Sequence, residues 1–491
     1  MITNIFLGLA SAFSINNILF SIVGVFVGIV IGAIPGLGPA MGIAVTLPLT
    51  YGMEPASGML LLMGIYCGAV YGGSITAILL GVPGTPASIA TVWDGHKITK
   101  NGVAAKALNT AISASTIGGL LSAFALLFLS PYLAKITLLF GPPEYVALAI
   151  WGLAIICSLE SKSLVNGLIS GCLGLLLATV GMSPVTGTSR FTFGQISLSS
   201  GIEIIPTLIG LFCIPEIISL VEEKAKSDVA FDGHLHLKDF FKQFKETCVG
   251  TSLRAGIIGV IIGIIPGAGG TIAPFITYND AKNRSKTPEK FGTGHMPGVA
   301  SSEAANNGAS CSSLVPLLTL GVPGSSAAVV FLGALTIHGL QPGSLLFEKQ
   351  PDIVYGLLVG SVIIQLYMLV VGLFGAPWFA KTTKIPNAVL ISSIFVFSCI
   401  GAYANNNNMF NVWVMLAFGF IGYAMKKVKL SPAAMVLAMI LGPIFEKNMI
   451  RSLAISYGSW SIFFTRPICI VFYVLTIIMV AGPMRKALQV K

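Results

Sequence analysis

The sequence predicts an all-α, multi-pass membrane protein built from two repeats, with helices interrupted by Pro-Gly breaks and re-entrant hairpins. Three observations lead there. Of 491 residues, 55% are hydrophobic and only 9% charged, with a mean hydropathy of +0.88, whereas a soluble domain carries about 25% charged residues. Apolar runs such as Ile18–Ile34, Ala56–Leu80, Leu164–Val180, Ile353–Phe374 and Ile468–Val480 approach or exceed the length that spans a bilayer core, and predict roughly ten to twelve crossings. Finally, the same Pro-Gly phrases occur twice.

From the amino terminus, no basic stretch precedes the first apolar run, so no cleavable signal is expected. That run ends in "GIVIGAIPGLGPAMGIAVTLPLTY" (Gly28–Tyr51), which matches "GVIIGIIPGAGGTIAPFITY" (Gly259–Tyr278). "ILLGVPGTPAS" (Ile78–Ser88) matches "LTLGVPGSSAA" (Leu318–Ala328). The offsets are 266 − 35 = 231 and 323 − 83 = 240. Two ordered matches at nearly one offset indicate an internal duplication.

Between the copies, Glu222–Glu246 holds 11 charged residues. This divides the chain into a first membrane half (1–221), a charged cytoplasmic linker (222–250) and a second half (251–491). In the linker, Leu237, Phe240, Phe241 and Phe244 fall at i, i+3, i+4 and i+7, with lysines elsewhere around the turn. An amphipathic helix lying on an anionic leaflet is expected. The first basic residue of the chain is Lys97; the second copy follows Lys238, Lys242, Lys245 and Arg254. This alternating bias favours inverted repeats, with the amino terminus outside and the linker and tail inside. It also accounts for the net charge of +10 without any nucleic-acid partner.

Proline lacks a backbone donor and glycine has no side chain to pack, so these phrases end helices. In hydrocarbon, freed backbone groups survive only when buried in protein or lining a polar cavity. A helix restarting there aims its N–H groups and positive dipole end at the cavity, which suits a carboxylate. Paired breaks in two halves point to a transporter site. Hydroxyls surround the breaks: Ser74, Thr76, Thr85 and Ser88 in one half; Ser312, Ser313, Thr319, Ser325 and Ser326 in the other. Pro35, Gly36, Gly38, Pro266, Gly267 and Gly269 form supporting breaks or an ion site.

"SSEAANNGAS" (Ser301–Ser310) places Glu303, Asn306 and Asn307 in apolar surroundings, where polar groups need partners or water. The two asparagines are candidates for substrate or ion contact. Glu303 is either an ion contact or a helix cap at the membrane surface. Arg190 is expected to anchor a loop or partner subunit, Asp94 and His96 to form a turn, and Asn405–Asn408 an inter-helix loop. His234 and His236 read as solvated loop histidines. Eight scattered cysteines without Cys-x-x-Cys spacing predict neither a disulfide framework nor a zinc site. No phosphate-binding "GxxxxGK[ST]" occurs, no prosthetic group is expected, and the sparse, dispersed acids disfavour an intramembrane enzyme. A passive anion channel would accept the same broken helices.

Taken together, "YGGSITAILLGVPGTPASIATVWDG", "SRFTFG", "IIPGAGGTIAPFITYNDAKNRSK", "FGTGHMPGVASSEAANNGAS", "LLTLGVPGSSAA" and "FFTRP" resemble the large membrane subunit of the tripartite tricarboxylate transporters over nearly the whole chain. The resemblance implies a bacterial inner-membrane permease for tricarboxylates or related carboxylates. It further implies a small membrane subunit, a periplasmic solute-binding protein, and secondary transport driven by Na+ or H+. It places substrate between Pro83, Gly84, Thr85 and Pro86 on one side and Pro323, Gly324, Ser325 and Ser326 on the other; Ser88 is a substrate-binding candidate through its hydroxyl beside the first break. Gly81, where the family often has Asn, and Gly308, where it commonly has Ala, depart from the pattern.

Overall fold

A computed structural model describes residues 2–34, 36–159, 164–183, 186–222, 249–266, 269–382, 386–404 and 406–489. Pro35, Gly267, His234, His236 and the expected amphipathic helix lie outside the described residues. Helices dominate the rest. The first half contains α1 (Ile2–Ala12), α2 (Ile15–Gly32), α3 (Pro39–Thr46), α4 (Pro55–Leu79), α5 (Ile89–Lys100), α6 (Ala104–Thr137), α7 (Pro142–Leu159), α8 (Leu164–Ala178) and α9 (Ile204–Glu222). A hairpin of strands pairs β1 (Gly181–Met182) antiparallel with β2 (Ser189–Arg190). The second half contains α10 (Val249–Ile264), α11 (Gly269–Arg284), α12 (Met296–Ser312), α13 (Leu314–Leu320), α14 (Ser326–Ile337) and α15 (Ser344–Lys349). It continues with α16 (Pro351–Thr382), α17 (Asn387–Ala404), α18 (Met409–Lys427), α19 (Pro432–Ile455), α20 (Ile462–Thr465) and α21 (Pro467–Gln489).

Among the described residues, seven helices are long and apolar enough to cross a membrane: α2, α4, α6, α9, α16, α18 and α19. Seven shorter apolar segments accompany them. The short ones include α3, α10 and α14, which the Pro-Gly breaks separate from their neighbours.

Close backbone approach builds the centre. Gly24, Gly28 and Gly32 of α2 lie so near α4 that a Cβ on any of them would collide with the carbonyls of Leu61, Ile65 and Ala69. Gly64, Gly68 and Gly72 return the contact onto Ser21, Val25 and Ile29. Small residues at four-residue spacing allow this packing where no hydrophobic force drives helices together. The second half repeats it in register: Gly259 packs on Ala305 and Gly263 on Ala309, positions matching Gly28 on Ile65 and Gly32 on Ala69. As a result α4 is wholly buried within its span. The halves also interlock. The turn at Pro86–Ser88 packs on α11, and α14 packs on α3.

Candidate functional site

Both Pro-Gly phrases fold back in the same way. The Gly84 amide donates to the Gly73 carbonyl at 3.2 Å, and the Gly324 amide donates to the Ser313 carbonyl at 3.2 Å. Gly81 and Gly321 precede them with φ of +70° and +74°, a left-handed bend that glycine adopts without steric cost. At Gly81 a side chain would also strike the His96 ring. After each bend a helix restarts. Ser325 caps α14, its Oγ accepting from the Ala328 amide at 3.2 Å. Thr85 instead pairs its Oγ1 with Ser88 Oγ at 2.9 Å.

A cavity of ≈ 150 Å³ lies between the restarted helices. Its lining consists almost entirely of repeat-matched pairs. At the 240 offset stand Tyr66 and Asn306, Val70 and Ser310, Thr85 and Ser325, Pro86 and Ser326, and Ala87 and Ala327. At the 231 offset stand Pro39 and Gly270, and Ala40 and Thr271; Gly38 completes the wall. α3, α5 with its leading 3₁₀ turn, α11 and α14 thus all begin at or beside the cavity. None of the described lining residues carries a charge. Helix N-termini and hydroxyls are therefore what this wall offers an anion.

Tyr66 joins the halves at one side. Its hydroxyl is 2.9 Å from Ser313 Oγ and 3.3 Å from Ser325 Oγ, and those two oxygens are 3.3 Å apart. Asn306 holds its position through a 3.5 Å bond from Nδ2 to the Val70 carbonyl.

Of the residues singled out from sequence, Thr85, Pro86, Ser325, Ser326, Asn306 and Gly38 line the cavity. Pro83, Gly84, Pro323 and Gly324 shape the bends behind it, and Ser88 braces Thr85. Asn307 is off the lining: its Nδ2 donates to the Glu303 carbonyl at 3.2 Å. Gly36, at φ +90°, faces Glu216 instead. Pro266 is buried just beyond the end of α10, and Gly269 opens α11. Several hydroxyls serve their own helices, as Ser312 does on the Gly308 carbonyl (2.7 Å) and Thr319 on that of Val315 (2.7 Å). Sequence reasoning missed Tyr66, which the 240 offset from Asn306 marks, and both partners of the pairs Val70 and Ser310, Ala87 and Ala327, Pro39 and Gly270, and Ala40 and Thr271.

One of the two readings of Glu303, and the turn expected of Asp94 and His96, are corrected. Glu303 does not cap a helix at the surface. It stands inside α12 with no exposed surface, because Ser74 of α4, Thr91 of α5 and Ser115 of α6 all donate to its carboxyl. Asp94 does not form a turn; it lies within α5 and is fully buried. Its Oδ1 accepts the amides of Gly292, Gly294 and His295 at 2.8–2.9 Å, and its Oδ2 the Tyr278 hydroxyl at 2.8 Å. The first hairpin is thereby tied to the loop that launches α12. In that loop, burial holds the His295 imidazole below its ordinary value of 6.5, against the opposing pull of Asp94. His96 likewise sits in α5, its Nδ1 3.3 Å from the Ile78 carbonyl oxygen. Arg190 anchors a loop as expected: its guanidinium meets Glu446 of α19 with both nitrogens, at 2.9 and 3.1 Å. Asn406–Asn408 form the expected connection, with Asn408 capping α18.

A family model for the tripartite tricarboxylate transporter TctA family matches residues 18–437. The chain is also similar to two proteins of Agrobacterium vitis. One, described as an uncharacterized 52.8 kDa protein in the TAR-I ttuC' 3' region, is 37% identical over 468 residues, covering 95% of this chain and 93% of that one. The other, an uncharacterized protein in the TAR-II ttuC' 3' region, is 36% identical over 210 residues, covering 43% and 87% respectively.

Proposed function

The chain belongs to the tripartite tricarboxylate transporter TctA family, and on that footing we propose that it is the permease subunit for uptake of tricarboxylates or related carboxylates. It is a multi-pass membrane protein. In our reading it sits in a bacterial inner membrane with a small membrane subunit and receives substrate from a periplasmic binding protein. The two halves, 1–221 and 251–491, are inverted repeats joined by a cytoplasmic linker. A Na+ or H+ gradient drives accumulation, and no prosthetic group takes part.

One observation carries the reading: the cavity's repeat-matched, uncharged wall, onto which broken helices open. Broken helices in matched positions of two halves are the mark of a midplane transport site. Substrate carboxylates are held by helix N-terminal amides, by Thr85, Ser325 and Ser326, and by Asn306. With no Lys or Arg on the wall, co-bound cations offset the anion's charge. Alternating access moves the two hairpins against the surrounding helices.

The test is uptake of radiolabelled carboxylates into proteoliposomes holding the chain and its small subunit, with Na+ and H+ gradients varied and the binding protein present or absent. Accumulation above equilibrium that needs both gradient and binding protein is expected. Downhill leak indifferent to both would make the protein a passive anion channel. Correctly inserted Thr85→Val and Ser326→Ala variants that keep wild-type substrate affinity would remove the hairpins from the site.

A further inference from the structure

Glu303 belongs to the second half, yet all three hydroxyls that hold its carboxyl belong to the first. Ser74 and Ser115 donate to Oε2 and Thr91 to Oε1. No Lys, Arg or His among the described residues bonds or pairs with this carboxyl. The position matching Glu303 at the 240 offset is Met63, and those matching Ser74 and Thr91 are Leu314 and Phe331. The cavity wall is therefore duplicated, whereas the acid and its hydroxyl cradle are single.

Several charged and titratable groups on the surrounding helices are engaged elsewhere. Asp94 of α5 holds the loop at 292–295, and Lys97 reaches the Gly292 carbonyl. Arg254 of α10 pairs with Asp280 of α11, which also takes Arg284. Tyr278 bonds Asp94. Tyr71 of α4 lies beside Glu303, and its hydroxyl has no hydrogen-bond partner among the described residues. A fully buried carboxylate with neutral partners alone is costly as an anion. Bound to a cation, it is neutral.

We propose that Glu303, cradled by Ser74, Thr91 and Ser115, is the site that takes up the monovalent cation of the transport cycle, a proton or Na+. The placement explains how that cation communicates with substrate. Glu303 is one turn from Asn306, and Thr91 follows the Pro86–Ser88 turn; Asn306 and Pro86 both line the cavity. Ser74 adjoins Gly73, whose carbonyl seats the first hairpin. An anionic substrate in an uncharged cavity repels an ionised Glu303 and favours its neutralisation. By linkage, a neutralised Glu303 favours the substrate by the same factor. This coupling has the sign of symport. The inference rests on the transporter reading only for its place in the cycle.

The experiment uses the purified full-length chain, wild type and Glu303→Gln. Without substrate, NaCl is titrated calorimetrically in choline buffer, and proton uptake is measured on a pH step. The wild type is expected to take up a cation that Glu303→Gln does not; the arm showing the difference identifies Na+ or the proton. Equal uptake by the two proteins overturns the proposal. With radiolabelled citrate as probe, wild-type affinity is expected to rise roughly tenfold from absent to saturating cation, and Glu303→Gln affinity to stay flat. An equal rise in both proteins also overturns it. Should Glu303→Gln not fold, Thr91→Val and Ser115→Ala keep the carboxylate and are expected to shift cation affinity several-fold; unchanged affinity in both sinks the idea. Cation uptake lost in Glu303→Gln, combined with no binding of any carboxylate by the wild type, would uphold this site while removing the transporter reading.

Discussion

The Gly84 amide donates to the carbonyl of Gly73 at 3.2 Å, so the first hairpin hangs from the helix it has just left. A Cβ at Gly84 would collide with the Gly32 carbonyl and come within 2.7 Å of Gly73 Cα. At Gly324 it would come within 2.7 Å of the Ser313 carbonyl oxygen. Both neighbours are backbone and neither can yield cheaply. Gly84→Ala and Gly324→Ala are each expected to cost roughly 1–3 kcal/mol and to abolish uptake. Thermal unfolding in detergent and proteoliposome uptake read the two effects. Normal uptake by either variant would show that the bend need not close so tightly.

Asp94 supplies the acceptor for three loop amides and one phenol. In Asp94→Ala these partly or fully buried donors lose their acceptor, at a cost on the order of 3 kcal/mol. A clear loss of thermal stability is expected, larger than that from Tyr278→Phe, which removes one of the four bonds. Equal losses would assign the clamp to the phenol alone.

Two ion pairs of unequal burial should differ sharply. The Glu144 side chain is only 3% exposed and takes Arg466 at 3.1 Å together with the Gly141 amide at 2.8 Å. Arg466→Ala leaves that carboxylate buried and unpaired, costing about 3–5 kcal/mol. Glu446 and Arg190 are partly exposed, so Arg190→Lys, which forfeits the two-pronged geometry, should cost about 1 kcal/mol or less. Chemical denaturation of the two variants compares them directly, and a reversed order would refute the burial argument.

Burial holds the imidazoles of His295 and His338 below the ordinary 6.5. The unfolded chain therefore binds more protons than the folded one in the acidic range, and stability rises with pH through that window. It is fully present above about 6.5 and falls as the pH drops toward the lowered folded values. Melting temperatures measured between pH 7.5 and 5 should fall, and less steeply in a His295→Gln, His338→Gln double variant. An unchanged slope would place the acid sensitivity in other groups.

Much of the architecture was legible in the sequence because its causes are local or compositional. Apolar run length announced helices of membrane length, and proline and glycine announced where they break. The 240 offset identified partners before their contact was visible: Thr85 and Ser325 do face one cavity. The supporting Pro-Gly phrase was less informative, since Gly36 turns toward Glu216, and no local signal separates a glycine that lines a site from one that admits a neighbour.

Asn306 and Asn307 show where the sequence stops. They are adjacent and chemically identical, yet one lines the cavity and the other bonds back to its own helix. Helical rotation of about 100° per residue, fixed by the packing of α12 against its neighbours, makes that choice. Glu303 is the larger case. By itself the sequence determined that an acid stands in an apolar stretch, together with the broken helices, the duplication and the membrane. Only the tertiary structure decided that this acid is buried among three hydroxyls of the other half, because burial and hydrogen-bond partners come from segments 188 to 229 positions away.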